Sequence, residues 1–234
     1  MATIRILSGG AAQAVVEKIA AEFRRDTGHE ISAEFSAVGA MNEKVVAGEP
    51  VDVIILTAAL VDGLIAGDFV VPGSRSDLGR VGTGVAVRAG TPLPDVSNAD
   101  VLRGNMLAAT CIACPDPAFA TAGKVVMNLV ERLGIAGHVK SRMKNFPNGY
   151  AAMGWLAASA GSLELGITQI TEILPNKGVT LAGPLPEYLQ MKTVYSAGLA
   201  SRAANADVAK EFIARLTAPA ARPILAAAGY EIDR

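Results

Sequence analysis

Short apolar runs end in small-residue turns and pass at once into amphipathic helices, again and again along this chain. That alternation constrains the chain to an α/β fold with mixed, mainly parallel sheets flanked by helices. Thr3-Ile4-Arg5-Ile6-Leu7 runs into Ser8-Gly9-Gly10, after which Ala12, Val15, Val16, Ile19, Ala20 and Phe23 mark one helical face that stops at Gly28. Ile31 to Phe35 alternates and meets Ser36-Ala37-Val38-Gly39-Ala40, again followed by a helical pattern. A glycine turn between strand and helix leaves backbone N–H groups free at a helix start, where a small anion is held without a basic side chain. Two such turns on neighbouring strands converge on one point, which predicts a cleft for a small anion.

The pattern continues with a strand over 51–56, buried on both faces, and Thr57 placed to cap the helix carrying Leu60, Leu64 and Ile65. Residues 72–77 read as loop, 81–88 as a glycine-rich extended run, 98–103 as a short helix and 106–114 as a buried strand ending at Pro115. A helix carrying Val125, Val126, Leu129, Val130 and Leu133 follows, then one around 150–160, strands over 163–167 and 179–181, an extended run over 192–199 and two helices centred near Phe212 and Leu225. The extended runs are natural crossings between lobes. Lobe I is expected over 1–82 plus 197–234 and lobe II over 83–196, with the ligand cleft between them.

With 21 basic and 22 acidic residues the net charge is −1, so the chain has no electrostatic footprint for nucleic acid or an anionic membrane. Any anion is held by local dipoles. No run of about 18 apolar residues is present, so no membrane span is expected. Met1-Ala2 leads directly into a strand without a basic and apolar leader, which reads as cytoplasmic; a trimmed signal peptide would make the protein periplasmic, with an ABC permease as partner.

Cys111 and Cys114 form a lone C-x-x-C inside a strand pattern, where residues three apart face opposite ways, so core packing is expected over a disulfide or shared metal. His29 and His138 follow glycines and read as surface turns. The sequence contains no metal-ligand spacing, phosphate-loop signature or Ser-His-Asp set, and no cofactor or metal is expected.

Several of these segments, taken in order, carry a family resemblance: Ser8-Gly9-Gly10 opening a helix, Phe35-Ser36-Ala37-Val38-Gly39, Ala47-Gly48-Glu49-Pro50-Val51-Asp52-Val53, Asp116-Pro117 followed by Thr121-Ala122-Gly123, Leu165-Gly166-Ile167 and Tyr195-Ser196-Ala197-Gly198. Together they resemble the molybdate-binding-protein-like branch of the type II periplasmic solute-binding proteins, over nearly the whole chain. The resemblance implies two α/β lobes, a two-strand hinge and a ligand held by hydroxyls and backbone amides. By position, the first-loop hydroxyl falls at or near Ala11, the second-loop serine near Val38 or Gly39, one amide at Ala122 with Thr121 replacing a proline, another near Gly149, and Gln169 replaces a tyrosine. The amide framework is kept while several hydroxyl ligands are missing, which counts against molybdate. The segments 48–53, 71–78 and 87–90 look more similar to the aconitate-isomerase-like enzymes of the same branch, which implies a small tricarboxylate.

A 1,3-proton shift beside a carboxylate needs donors for the carboxylates, a base near the acidic carbon and exclusion of water. Ser8, Gly9, Gly10, Ser36 and Gly39 read equally as ligand donors or as tight turns built for packing. Asp116, after a strand's C-terminal end, reads as the base or as a helix cap. Thr121 reads as ligand contact or cap, and Tyr150 as proton donor or half-buried packing. Tyr195 reaches in from the hinge or packs, and Cys114 is an acid–base thiol or an inert buried one. Arg75 and Arg88 pair with carboxylates or stay solvated. The sequence reading is a cofactor-independent aconitate-isomerase-like enzyme, with an oxyanion-binding component of an importer and a non-catalytic anion sensor as alternatives.

Overall fold

A computed structural model of the chain describes residues 1–232. In chain order the elements are β1 (Thr3–Gly9), α1 (Gln13–Thr27), β2 (Glu30–Ser36), α2 (Val38–Val46), β3 (Val53–Thr57), α3 (Ala58–Ala66), β4 (Ser76–Val81), β5 (Thr83–Arg88), α4 (Ala99–Ala108), β6 (Cys111–Pro115) and α5 (Thr121–Arg132). There follow α6 (Ala136–Val139), β7 (Met143–Phe146), α7 (Gly149–Ala158), β8 (Glu164–Gln169), α8 (Ile170–Ile173), β9 (Val179–Pro184), β10 (Thr193–Leu199), α9 (Ala206–Thr217), α10 (Arg222–Ala227) and β11 (Tyr230–Glu231). The chain divides into two compact units, residues 1–81 with the stretch from Thr193 onward, and residues 82–192, so it passes between them twice.

In unit 1 the strand order is β11-β4-β10-β3-β1-β2. Around β1 the pairing is parallel, with β2 on one side and β3 on the other; β10 runs antiparallel between β3 and β4. All five residues of β3 are buried, as a strand covered on both faces requires. Helices α1 and α9 meet where Phe23 and Phe212 stack edge-to-face at 5.3 Å, with the Arg215 guanidinium 5.1 Å from the Phe23 ring. Asp52, 3% exposed, accepts the Arg5 amide at 2.9 Å and the Asn205 amide at 3.1 Å, tying the starts of β1, β3 and α9 together.

In unit 2 the order is β7-β6-β8-β5-β9, with β6 parallel to β7 and β8, and β5 antiparallel to β8 and β9. Alternation sorts the two faces. Val85, Val87, Ile112 and Cys114 pack with Val125, Val126, Leu129 and Val130 of α5, while Ala86 and Ala113 face Met153 and Leu156 of α7. Gly166 of β8 lies under α7, where any Cβ would collide with the Met153 side chain.

The structure departs from the sequence expectation in three places. The strand expected over 106–114 is divided, because Leu102 and Met106, one helical turn apart, extend α4 to Ala108, and β6 starts only at Cys111. Ser76 and Asp77, expected in a loop, pair with Ala197 and Ser196 of β10. The run 81–88 is two strands of two sheets, parted at Gly82 where the chain leaves unit 1. Thr57 does sit at the N-cap of α3, but its side chain makes no capping hydrogen bond.

Candidate functional site

In unit 1 the parallel register sets Ser8 opposite Phe35 and Gly9 opposite Ser36, so β1 and β2 end side by side. Gly9 leads into a 3-10 turn, Gly10–Ala12, that precedes α1; Ala37 precedes α2. Neither start has a side-chain cap, so the first-turn amides keep their donors. A Cβ at Gly9 would lie 2.6 Å from Val38 Cγ1 and 3.1 Å from Tyr195 Cε1. The two corners therefore touch, and only glycine fits where they meet.

This corner is built of main chain. Ser8 is fully buried and its hydroxyl donates to the Gly9 carbonyl at 3.0 Å. Ala11 is 2% exposed and its carbonyl accepts from the Tyr230 hydroxyl at 3.1 Å. Tyr195 is buried, edge-on to Tyr230 at 6.5 Å, at a register shift of β10 against β4. Ser36 and Gly39 remain half-buried.

In unit 2 the parallel strands β6, β7 and β8 end at one sheet edge, where open α/β sheets place ligands. The Asp116 amide donates to the Phe146 carbonyl at 2.7 Å, and Asp116 Oδ1 accepts from the Ala118 amide at 2.9 Å, shaping the turn into α5. Half-buried Thr121 and buried Ala122 open that helix, which has no side-chain cap. Asn148 caps α7 by accepting the Ala151 amide at 2.8 Å, and half-buried Tyr150 lies in its first turn. Gln169 is buried at the end of β8.

Glu172, a residue the sequence reading passed over, sits beneath this edge. Its carboxylate accepts from Thr168 Oγ1 at 2.6 Å and from the Gly149 amide at 3.3 Å. Burial pushes it up to about 7, against the pull of the Thr168 hydroxyl and the Gly149 and Gln169 amides. Nothing in the local pattern Ile170-Thr171-Glu172-Ile173 marks the acid as interior; β8 and α7 close over it only in the folded unit.

Cys114 is fully buried, with its thiol 3.4 Å from Asn145 Oδ1. Burial, then the neighbouring Cys111 and Asp116, push that thiol up to about 12, so it stays protonated at neutral pH. Both cysteines are free. Arg75 forks onto Asp62 and Asp77, and Arg88 donates to the Ser159 carbonyl, so both guanidinia are engaged within their own units. Among the described residues no three His, Cys, Asp or Glu side chains form a metal-sized group, and no helix is long and apolar enough to cross a membrane.

Two mixed α/β units crossed twice by the chain, each with helix starts at parallel strand ends, define the architecture of a periplasmic solute-binding protein. The chain belongs to the family of bacterial extracellular solute-binding proteins, which it matches over residues 4–231. It is 26% identical over 218 residues to an aconitate isomerase of a Pseudomonas species, covering 90% of this chain and 80% of that one. Its fold is that of the periplasmic molybdate-binding protein of Azotobacter vinelandii, with a TM-score of 0.84, 22% identity, and 99% of this chain and 100% of that one covered. The sulfate-binding protein of Mycobacterium tuberculosis H37Rv aligns with a TM-score of 0.74 at 16% identity, covering 98% of this chain and 86% of that one.

Proposed function

We propose that this protein binds a small di- or tricarboxylate through main-chain donors and isomerises it, without a cofactor, by an aconitate-type 1,3-proton shift. The observation that carries the reading is the contact of the Gly9 and Val38 corners, which brings together two helix starts without a side-chain cap. Amides at Gly9, Gly10, Val38 and Gly39, with those at Thr121, Ala122 and Gly149, are the proposed carboxylate donors. The aconitate isomerase relative supports the substrate class.

In the proposed reaction the Asp116 carboxylate removes a proton from the carbon next to a carboxylate. The electron pair moves into a dienolate-like anion that the amides stabilise, and a proton returns at the carbon two bonds away. Tyr150 is the proposed donor of that proton; its phenolate then regains a proton from solvent while Asp116 releases the one it took, which restores both groups. Cys114, whose thiol stays protonated, takes no part.

A second reading has support from the fold neighbours, a molybdate-binding and a sulfate-binding protein: an oxyanion-binding component that delivers its ligand to an ABC permease. Thermal-shift measurements with trans-aconitate, citrate, molybdate and tungstate separate the two. Stabilisation by the carboxylates is expected, and stabilisation by molybdate or tungstate alone would establish the second reading. For the chemistry, trans-aconitate is incubated with the protein in heavy water and its vinyl protons are followed by NMR. Exchange or conversion that Asp116→Asn abolishes is expected; no exchange would leave binding without catalysis.

A further inference from the structure

Glu172 is 4% exposed, and among the described residues no cation is paired with its carboxylate. Its carboxylate partners are the Thr168 hydroxyl and the Gly149 and Gln169 amides. The elements packed most closely on α8 are α7, β5, β8 and β9. Among them the titratable or charged groups are the Tyr150 phenol on α7, Glu164 at the start of β8 and Arg88 at the end of β5. The antiparallel register sets Thr83 against Gln169 and Ala86 against Gly166, so Arg88 and Glu164 lie at the far end of those strands from Glu172. Five residues along a strand span roughly 17 Å. An ionised Glu172 is thus a buried negative charge with hydrogen bonds but no counter-charge, an arrangement that disfavours ionisation.

Its position relative to α7 gives this charge a consequence. Gly149 is the first residue of α7, and a Cβ there would collide with the Glu172 carboxylate and the Thr168 hydroxyl. The ionised carboxylate occupies an amide at the positive end of the helix, where an incoming anion would also be held. Two negative charges then compete for one helix start in a poorly solvated place. Neutralising Glu172 removes the repulsion and leaves the dipole to the ligand.

We propose that Glu172 is a proton-controlled positioning residue, so that an anion held at the first turn of α7 binds together with a proton taken up from solvent by the Glu172 carboxylate. This rests on the anion-binding function proposed above. By linkage, protonation tightens anion binding by the factor by which the anion tightens proton binding. Burial holds the Glu172 carboxyl near 7, which places the exchange in the neutral range.

The test measures binding of trans-aconitate, and in parallel of molybdate, by isothermal titration calorimetry in buffers of different ionisation enthalpy from pH 6.5 to 8.5. Wild type is expected to bind more weakly as pH rises, by up to about tenfold per pH unit above 7, with uptake approaching about one proton per anion. Glu172→Gln is expected to bind with an affinity that does not vary with pH and with no proton uptake, which a merely structural role would not produce. In wild-type protein carrying 13C-labelled glutamate carboxyls, one buried carboxyl should titrate near neutral pH and shift upward when the anion is added; this readout holds even if the variant fails to fold. Binding that is independent of pH, with no proton uptake and no carboxyl shift, would overturn the role of Glu172 and leave the anion site standing. If neither anion binds at any pH, the proposed function falls and this coupling with it.

Discussion

The hydroxyl of Tyr230, in the last strand, donates to the carbonyl of Ala11, in the first turn of the chain, across 3.1 Å. The C-terminal edge of the sheet thereby steadies the corner whose amides are proposed to hold the ligand. Tyr230→Phe keeps the ring against Tyr195 and removes this bond. Calorimetry with trans-aconitate should show about a fivefold loss of affinity, corresponding to the ~1 kcal/mol of one hydrogen bond; unchanged affinity would mean that the corner holds its shape without it.

The contact between Gly9 and Val38 makes a paired prediction. Gly9→Ala drives a methyl to 2.6 Å from Val38 Cγ1, forcing the corners apart, and should weaken trans-aconitate binding by more than about tenfold. Adding Val38→Ala to the same chain removes the clashing methyl and should recover part of the loss. Equal binding by single and double variants would show that the spacing of these corners does not matter to the ligand.

Buried Asp52 accepts backbone amides from Arg5 and Asn205 in part-buried hydrogen bonds, and Asp52→Ala leaves both without that acceptor. Urea unfolding should report a loss of about 2–4 kcal/mol. A loss under about 0.5 kcal/mol would show that water replaces the carboxylate.

Glu172 also predicts how stability varies with pH. Its carboxyl is raised from the ordinary 4.5 to about 7, so the folded chain binds this proton more tightly than the unfolded chain. The contribution is fully present below about pH 4.5, is lost as pH rises through 7, and levels off above, a loss of about 3 kcal/mol. Denaturation at pH 5 and pH 8 should show Glu172→Gln close to wild type at the lower pH and more stable than it at the higher. The same difference at both pH values would refute a raised carboxyl.

Burial raises both thiols, Cys114 the further, and only Cys111 is partly exposed. Native protein at pH 8 should therefore be alkylated slowly at Cys111 and at Cys114 only after unfolding, as peptide mass spectrometry would show. Rapid native labelling of Cys114 would reveal an opening of unit 2 that exposes β6.

The alternation of short strands and amphipathic helices, the glycine corner at Ser8-Gly9-Gly10 and the stop at Gly28, which takes a φ of 73°, were legible in the chain because they depend on periodicity and local backbone sterics. Asp116 could be placed just past a strand's C-terminal end by the same logic, whereas Gly149 and Gln169 were placed only through the family resemblance. Helix length past Arg103 could not, since propensity alone does not tell a buried helical turn at Met106 from the start of a strand. Nor could the burial of Glu172, the loss of Ser8's hydroxyl to its own backbone, or the bond from Tyr230 to Ala11, which joins residues 219 apart. Local sequence determined the elements and the chemistry available at their ends. Which donors stay free for an anion, and which are consumed within the protein, was decided only when strands distant in sequence were packed together, because desolvation and hydrogen-bond pairing depend on every neighbour a group acquires.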